Sequence, residues 1–244
     1  MLTNSSILIT GGTGSFAKTF IPMTLEKYKP KRLVIFSRDE MKQWDLSEKY
    51  KNIKEVEFII GDVRDKQSLK MALNGIDYVV HAAATKIVPT AEYNPMECIR
   101  TNVNGAENVM MAALTCNVEK VLALSTDKAA NPVNLYGASK LASDKVFVAA
   151  NNLSGRRPTR FAVVRYGNVL GSRGSVLPFF RSLLDKGATS LPITDKRMTR
   201  FWITLDQGIE FVLSCAGLMR GGEIFVPKLK SYQLGKGFEA VVPE

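Results

Sequence analysis

Tyr136 and Lys140 stand four residues apart in the run Tyr136-Gly137-Ala138-Ser139-Lys140. On a helix that spacing puts both side chains on one face. An ammonium group beside a phenol favours the phenolate and lowers the phenol pKa. Such a pair could take a proton from a substrate hydroxyl while hydride leaves the same carbon. Ten residues before Tyr136, Ser125-Thr126-Asp127-Lys128 ends an apolar run. Thr126 could hydrogen-bond the same substrate oxygen. Asp127 and Lys128 could supply an acid and a base, or form a solvated loop pair.

Near the N-terminus, Gly12-Thr13-Gly14-Ser15-Phe16-Ala17 fits the pattern G-x-G-x-x-G/A directly after Ile7-Leu8-Ile9-Thr10. Small residues there permit a tight turn and close approach of backbone to a pyrophosphate. The helix that follows offers free N–H groups and a partial positive charge to an anion. The residues expected at the end of the second strand are Ser37 and Arg38, where an acidic residue would bind a ribose 2′-hydroxyl. A guanidinium suits a 2′-phosphate instead, which predicts NADP. In the alternative, Arg38 is a surface charge and Asp39 takes the ribose. Asp62-Val63 follows the third apolar run. Asp62 then either meets the adenine edge or caps the next helix.

Six short apolar runs must hold these groups: Ile7–Thr10, Leu33–Phe36, Val56–Ile60, Tyr78–His81, Val121–Leu124 and Phe161–Val164. Amphipathic stretches separate them. Near-continuous apolar strands alternating with helices indicate a parallel sheet buried on both faces, joined by right-handed crossovers. The expected fold is therefore α/β, a Rossmann-like doubly wound sheet. Residues 1–170 read as an NADP-binding domain that also carries the catalytic residues. After residue 170 the pattern changes to a loop at Gly171–Ser175, helices near 176–186 and 205–218, and a short strand Ile224-Phe225-Val226. Residues 171–244 are expected to form a small, incomplete substrate-binding lobe interleaved with the core.

The chain has 244 residues with 33 Lys+Arg and 23 Asp+Glu, a formal charge of +10. That surplus fits a nucleic-acid surface, an anionic substrate or a generally basic exterior. No run of five like charges occurs, which argues against a nucleic-acid arm. No apolar run nears the roughly 20 residues that span a bilayer, and Met1-Leu2-Thr3-Asn4 has no signal-peptide character. Cys98, Cys116 and Cys215 form no CxxC or zinc pattern, so reduced thiols in a cytoplasmic protein are expected and no metal site is. His81 reads as structural, and Trp44 and Trp202 as packing aromatics.

Together these segments resemble the extended short-chain dehydrogenases/reductases, and within them the inverting UDP-N-acetylglucosamine 4,6-dehydratases of bacterial pseudaminic acid synthesis. The likeness rests on Ile9–Phe16, Phe36–Glu40, Gly61–Asp65, Lys86–Pro95, Leu124–Ala129, Asn134–Lys140 and Arg165–Val169, extended by Arg173–Val176 and Met198–Phe201. It implies NADP held by Gly11, Gly12, Thr13, Gly14, Ser15, Phe16, Ser37, Arg38, Asp39, Asp62, Val63, Ala82, Tyr136, Lys140 and Val169. It implies a UDP-sugar held by Lys86, Asn168, Arg173 and Arg200; Asn104 either braces the site from the neighbouring helix or makes a hydrogen bond within that helix. The implied reaction is oxidation at C4 through Tyr136 and Lys140, deprotonation of C5 by Lys128, loss of the C6 hydroxyl as water with Asp127 as acid, and hydride return. Thr126 assists at the C4 oxygen.

Related membrane-associated dehydratases carry Met at the place of Tyr136. A homo-oligomer is expected through the helices near 96–115 and 135–152. Three departures accompany the resemblance: Ala17 for a third glycine, Thr85 for an apolar residue before Lys86, and an aberrant end after Lys230, where the family chain continues. The alternatives are another NADP-linked sugar-nucleotide enzyme, such as a 4-epimerase lacking the need for Asp127-Lys128, and a catalytically impaired NADP-binding or nucleic-acid-binding protein.

Overall fold

The computed structural model describes residues 2–172, 175–193, 195 and 197–233. Its strands are β1 Ser6–Thr10, β2 Arg32–Ser37, β3 Val56–Ile60, β4 Tyr78–His81, β5 Lys120–Thr126, β6 Arg160–Tyr166, β7 Asn168–Val169, β8 Thr199–Ile203, β9 Ile224–Phe225 and β10 Ser231–Gln233. Its helices are α1 Ser15–Tyr28, α2 Glu40–Tyr50, α3 Lys66–Ala72, α4 Val88–Tyr93, α5 Pro95–Ile99, α6 Gly105–Thr115, α7 Leu135–Ser154, α8 Val176–Asp185 and α9 Leu205–Leu218. A π-helical turn, Arg100–Asn104, joins α5 to α6.

The main sheet has seven strands in the order β3-β2-β1-β4-β5-β6-β9, every pair parallel. Side chains on a strand alternate between faces, and the core follows that alternation. Ile7 and Ile9 pack with Phe20 and Ile21 of α1, Leu46 of α2 and Val212 of α9. Leu8 packs on the other face with Leu69 of α3, Val109 of α6 and Phe147 of α7. Each such side chain, fully withdrawn from water, contributes about 1.5–3 kcal/mol. This is the expected doubly wound fold. The order reverses between β1 and β4, and the crevice beyond their C-terminal ends is where such sheets bind ligands.

Caps set where the helices begin, and hence where the loops at that crevice end. The Asp39 carboxylate accepts the Lys42 N–H (3.0 Å), and Asn134 accepts the Gly137 N–H (2.8 Å). Asp65 caps α3 through the N–H groups of Gln67 and Ser68. The alternative in which Asp62 caps that helix is therefore corrected: Asp62 lies one turn too early.

Residues beyond 170 divide between two places. Helix α9 packs against α1, and β9 extends the main sheet beside β6. Strands β7, β8 and β10 form a separate three-stranded sheet, with β7 and β8 parallel and β10 antiparallel to β8. Trp202 stacks on Tyr232 there, with ring centroids 5.6 Å apart. Trp44 is not a packing residue: it is 64% exposed on α2.

Candidate active site

A cleft of about 570 Å³ opens at the crevice, between the β1–α1 turn, the β4 exit, the β5 end and the β6–β7 segment. A second pocket of about 230 Å³, bordered by Thr13, Arg38, Asp62 and Thr85, meets it along Gly11, Ala83 and Ala84. The turn between them is closely fitted. Gly11 has φ +66°, and a Cβ on it would lie 2.9 Å from the Ala83 backbone. The Gly12 N–H bonds the Phe36 carbonyl (3.1 Å), and Gly14 N–H the Gly11 carbonyl (3.0 Å). Ser15 and Phe16, first residues of α1, face the cleft. A cradle of bare backbone at a helix N-terminus fits a diphosphate.

The β4 exit is pinned against this turn. Thr10 Oγ1 accepts N–H bonds from Ala82 and Ala83, both 3.2 Å, and lies 2.8 Å from His81 Nδ1. Those two donors occupy the hydroxyl's lone pairs, so its proton points to Nδ1 and the imidazole carries hydrogen on Nε2. Burial, with the Lys140 charge adding to it, pushes the His81 pKa down to about 3. His81 is thus neutral and structural.

On the smaller pocket, Asp39 is occupied by the α2 cap and an ion pair with Lys42. Thr13 Oγ1 donates to Ser37 Oγ (3.3 Å). Arg38 is exposed, its guanidinium 3.8 Å from Asp62. Asp62 accepts from Arg64 at 2.6 Å, and Arg64 also pairs with Glu97 at 2.6 Å. Burial works to raise the Asp62 pKa, but the Arg64 hydrogen bonds and the Arg64 and Arg38 charges hold it below the usual value. Val63 is buried beside it. Lys42 and Arg64 were not singled out in the sequence, because a lysine and an arginine on a charged surface look like any others.

On the larger cleft, β5 runs two residues past its apolar stretch, because Ser125 and Thr126 pair with Arg165 and Tyr166 of β6. Thr126, Lys128, Tyr136 and Lys140 therefore line one wall. Thr126 lies close enough to Tyr136 to affect its titration. Thr126 Oγ1 donates to Asp127 Oδ1 (3.0 Å), Lys128 Nζ donates to the same oxygen (3.1 Å), and Nζ also reaches Asn168 Oδ1 at 3.5 Å. One hydrogen-bonded chain thus runs from Thr126 to Asn168, beside Tyr136. A Cβ on Gly137 would strike the Lys128 carbonyl, so glycine lets α7 start hard against this loop.

The expected lowering of the Tyr136 pKa is not present in the free site. Burial pushes it up to about 12, the Thr126 hydrogen bond opposing and the Asp127 charge adding. Burial lowers the pKa of Lys140, with Asp144 and Cys98 opposing.

Bracing comes from Asn102, not Asn104. Asn102 is buried, bonds both the N–H (2.8 Å) and the carbonyl (2.9 Å) of Thr85, and donates to Ser139 Oγ (2.9 Å). Asn104 is exposed. Both lie in the π turn, whose extra residue rotates side chains off the α-helical face, and there Asn102, not Asn104, turns into the core. The clamp on the Thr85 backbone sets where Lys86 enters the cleft, whatever the Thr85 side chain. Lys86 is exposed as a residue, yet desolvation of its head lowers its pKa. Ala82, Asn168 and Val169 also border the cleft. Arg200 does not: it lies on β8 beyond the end of two-residue β7, its guanidinium on the Thr199 carbonyl (2.8 Å). Arg173 falls outside the described residues. Among the described residues no cluster of His, Cys, Asp and Glu could hold a metal ion, and no helix is long and apolar enough to cross a membrane.

The family model described as polysaccharide biosynthesis protein matches residues 7–242. The chain belongs to that family. It is an extended short-chain dehydrogenase/reductase. It is 58% identical over 243 residues to the inverting UDP-N-acetylglucosamine 4,6-dehydratase of Campylobacter jejuni, covering 100% of this chain and 72% of that protein. It is 46% identical over 231 residues to a UDP-glucose 4-epimerase of Rickettsia canadensis, covering 93% of this chain and 67% of that one. The solved structure of Pen from Bacillus thuringiensis superimposes with a TM-score of 0.94 at 37% identity, over 98% of this chain and 75% of its own. DesIV, a dTDP-glucose 4,6-dehydratase from Streptomyces venezuelae solved with NAD bound, superimposes with a TM-score of 0.84 over 97% of this chain and 79% of its own. At 23% identity DesIV speaks to the fold alone.

Proposed function

We propose that this chain is an NADP-dependent, C5-inverting UDP-N-acetylglucosamine 4,6-dehydratase, working in the cytoplasm. The observation that carries the reading is the chain of hydrogen bonds from Thr126 through Asp127 to Lys128, beside Tyr136 and Lys140 at the wall of the cleft beyond the β1–β4 switch. It sets an acid–base pair next to a further base, which a reaction at three adjacent carbons needs. The 58% identity to the Campylobacter enzyme supports the same substrate. NADP held there would supply a nicotinamide able to accept hydride from C4 and give it back at C6.

Tyr136 accepts the C4 hydroxyl proton, Thr126 bonding the same oxygen and Lys140 favouring the phenolate. The C4 ketone acidifies C5–H. Lys128 takes that proton after passing one of its own to Asp127 along their 3.1 Å hydrogen bond. Asp127 then protonates the departing C6 hydroxyl. At that point Lys128 and Asp127 are back in their starting states, and Tyr136 holds the one proton taken from the C4 hydroxyl. C5 takes up one proton after hydride returns to C6, and loss of the extra proton from Tyr136 matches it, so each turnover releases water and no net proton. Delivery to C5 on the face opposite Lys128 inverts that carbon.

The Gly11–Gly14 cradle and the Ser15 and Phe16 end of α1 take the pyrophosphate. Arg38, beside Ser37 and with Lys42 in the same pocket, takes the 2′-phosphate. The occupation of Asp39 by its own helix supports NADP over NAD. Lys86 and Asn168 face the sugar nucleotide from the cleft; Arg173 and Arg200 are proposed for the diphosphate on the family pattern alone. Cys98, Cys116 and Cys215 are free thiols, in keeping with a reducing compartment.

The 46% identity to a 4-epimerase supports a second reading, in which only Tyr136 and Lys140 act. Incubation with UDP-N-acetylglucosamine and NADP⁺ followed by mass analysis separates them. Loss of one water without accumulating NADPH is expected. An unchanged mass with altered configuration at C4 would establish epimerisation instead.

A further inference from the structure

Tyr136, Lys140 and Asp144 lie at successive i, i+4 positions on one face of α7. Asp144 is 1% exposed and Lys140 3%. Arg165 of β6 donates from Nε to Asp144 Oδ2 at 2.8 Å. Arg165 stands in register with Ser125, next to Thr126, and three residues before Asn168. A buried carboxylate and a partly buried guanidinium thus back the Tyr136–Lys140 pair from behind, outside the residues that line the cleft. A carboxylate so buried costs desolvation that its ion pair does not readily repay, which leaves its placement to be explained.

We propose that Asp144, oriented by Arg165, is a positioning residue that keeps Lys140 charged in its buried seat. It acts through Lys140 and not on substrate. The physical reason is desolvation. An ammonium group withdrawn from water tends to lose its proton, and neutral Lys140 could not favour the Tyr136 phenolate. The Asp144 charge opposes that loss, as the direction of its effect on Lys140 shows. The same charge works against ionisation of Tyr136, so Arg165 has a second use: it partly neutralises Asp144 and limits that penalty. The other groups facing this core are Cys98 from α5, His81 from β4, Tyr166 from β6, and Asp127 with Lys128 from the loop after β5. His81 is neutral at ordinary pH and supplies no charge.

The inference rests on reading Tyr136 and Lys140 as the hydride-transfer pair, and its test does not need turnover. Trace acetylation of the whole chain with acetic anhydride across pH, read at the Lys140 peptide by mass spectrometry, gives the Lys140 titration midpoint. D144N should move that midpoint down, making Lys140 about tenfold more reactive near neutrality, one pH unit being a factor of ten. R165Q should move it up, because Asp144 is then left with an uncompensated charge. D144E should restore the wild-type midpoint. General damage to the fold would move D144N and R165Q the same way. The basic limb of the turnover profile, and of NADPH binding followed by fluorescence, should follow the same order. Equal midpoints in wild type and D144N, or same-sign shifts in D144N and R165Q, overturn the proposal. Opposite shifts in a chain that dehydrates no sugar nucleotide would uphold it and remove the dehydratase reading.

Discussion

The two ends of the crevice are built differently. At the β1–β2–β3 end, the ligand-facing groups come from three short contiguous segments, each with ties to its own neighbours (Asp39 to Lys42, Asp62 to Arg64, Gly14 to Gly11), and contacts such as Thr13 with Ser37 and Arg38 with Asp62 join the segments. At the β5–β6 end, the wall is assembled from β5, the loop after it, α7, and the β6–β7 segment, with Asn102 of the π turn and Asp144 behind it. A cofactor shared by many chemistries needs one fixed cradle. A multistep reaction needs several proton-moving groups converging on adjacent atoms, and no single loop can supply them. Local motifs therefore hold, and tertiary convergence reacts.

Substitutions can break that division. The largest effect is expected at Tyr136. Y136F should lower turnover by about 10²–10⁴, the usual worth of a positioned general base, while NADP⁺ binding by calorimetry stays within a few-fold. Loss of binding equal to the loss of rate would mean that the two ends are not separable. K128A and D127N should each abolish water loss while C4 oxidation survives, seen as NADPH formed on mixing. C5 proton exchange retained in K128A would refute its role as base.

The cradle answers in the opposite sense. G11A forces a side chain into φ +66° and against Ala83. Strain of about 1–3 kcal/mol is expected, read as a lower melting temperature together with weakened NADP⁺ binding. Unchanged binding would show that the Gly11–Ala83 approach is not part of the phosphate seat.

His81 lies between the ends and sharpens the comparison through pH. Its pKa is about 3 when folded, against 6.5 for an unperturbed imidazole. The stability tied to its neutral form is complete above pH 6.5 and is lost as pH falls toward 3, by about 1.4 kcal/mol per unit in that window. Urea unfolding of H81Q should show a flatter acid limb than wild type; equal slopes would place a charged imidazole in the core. The smallest effect is expected at Arg38. Its head is exposed and screened, so R38A should weaken NADP⁺ by about three- to tenfold relative to NAD⁺, the worth of a partly solvated charged hydrogen bond. No change would pass the 2′-phosphate to Lys42 or Arg64.

Much of this was legible from residue order. The six apolar runs are six strands of the main sheet, and helices expected near 176–186 and 205–218 span Val176–Asp185 and Leu205–Leu218. Strand limits were short where pairing, not hydrophobicity, continues the strand, as at Arg165 and Tyr166, which pair with Ser125 and Thr126. Asn102 was missed because which asparagine turns inward is set by the π turn, which residue order does not reveal. Asp144 was missed because nothing in a helical sequence distinguishes a buried carboxylate from a solvated one.

Sequence alone determined which groups exist and which neighbours share a turn or a face: the glycine cradle, Tyr136 with Lys140, Asp127 with Lys128. These depend on backbone geometry, which acts over a few residues. Tertiary structure alone decided that Thr126, bonded to Asp127, stands on one wall with Tyr136, that Asn102 clamps Thr85, that Arg200 stands off the cleft and that Arg165 meets Asp144. Each of these turns on strand register, burial or a shared charge field, and such quantities come into being only when distant segments pack together.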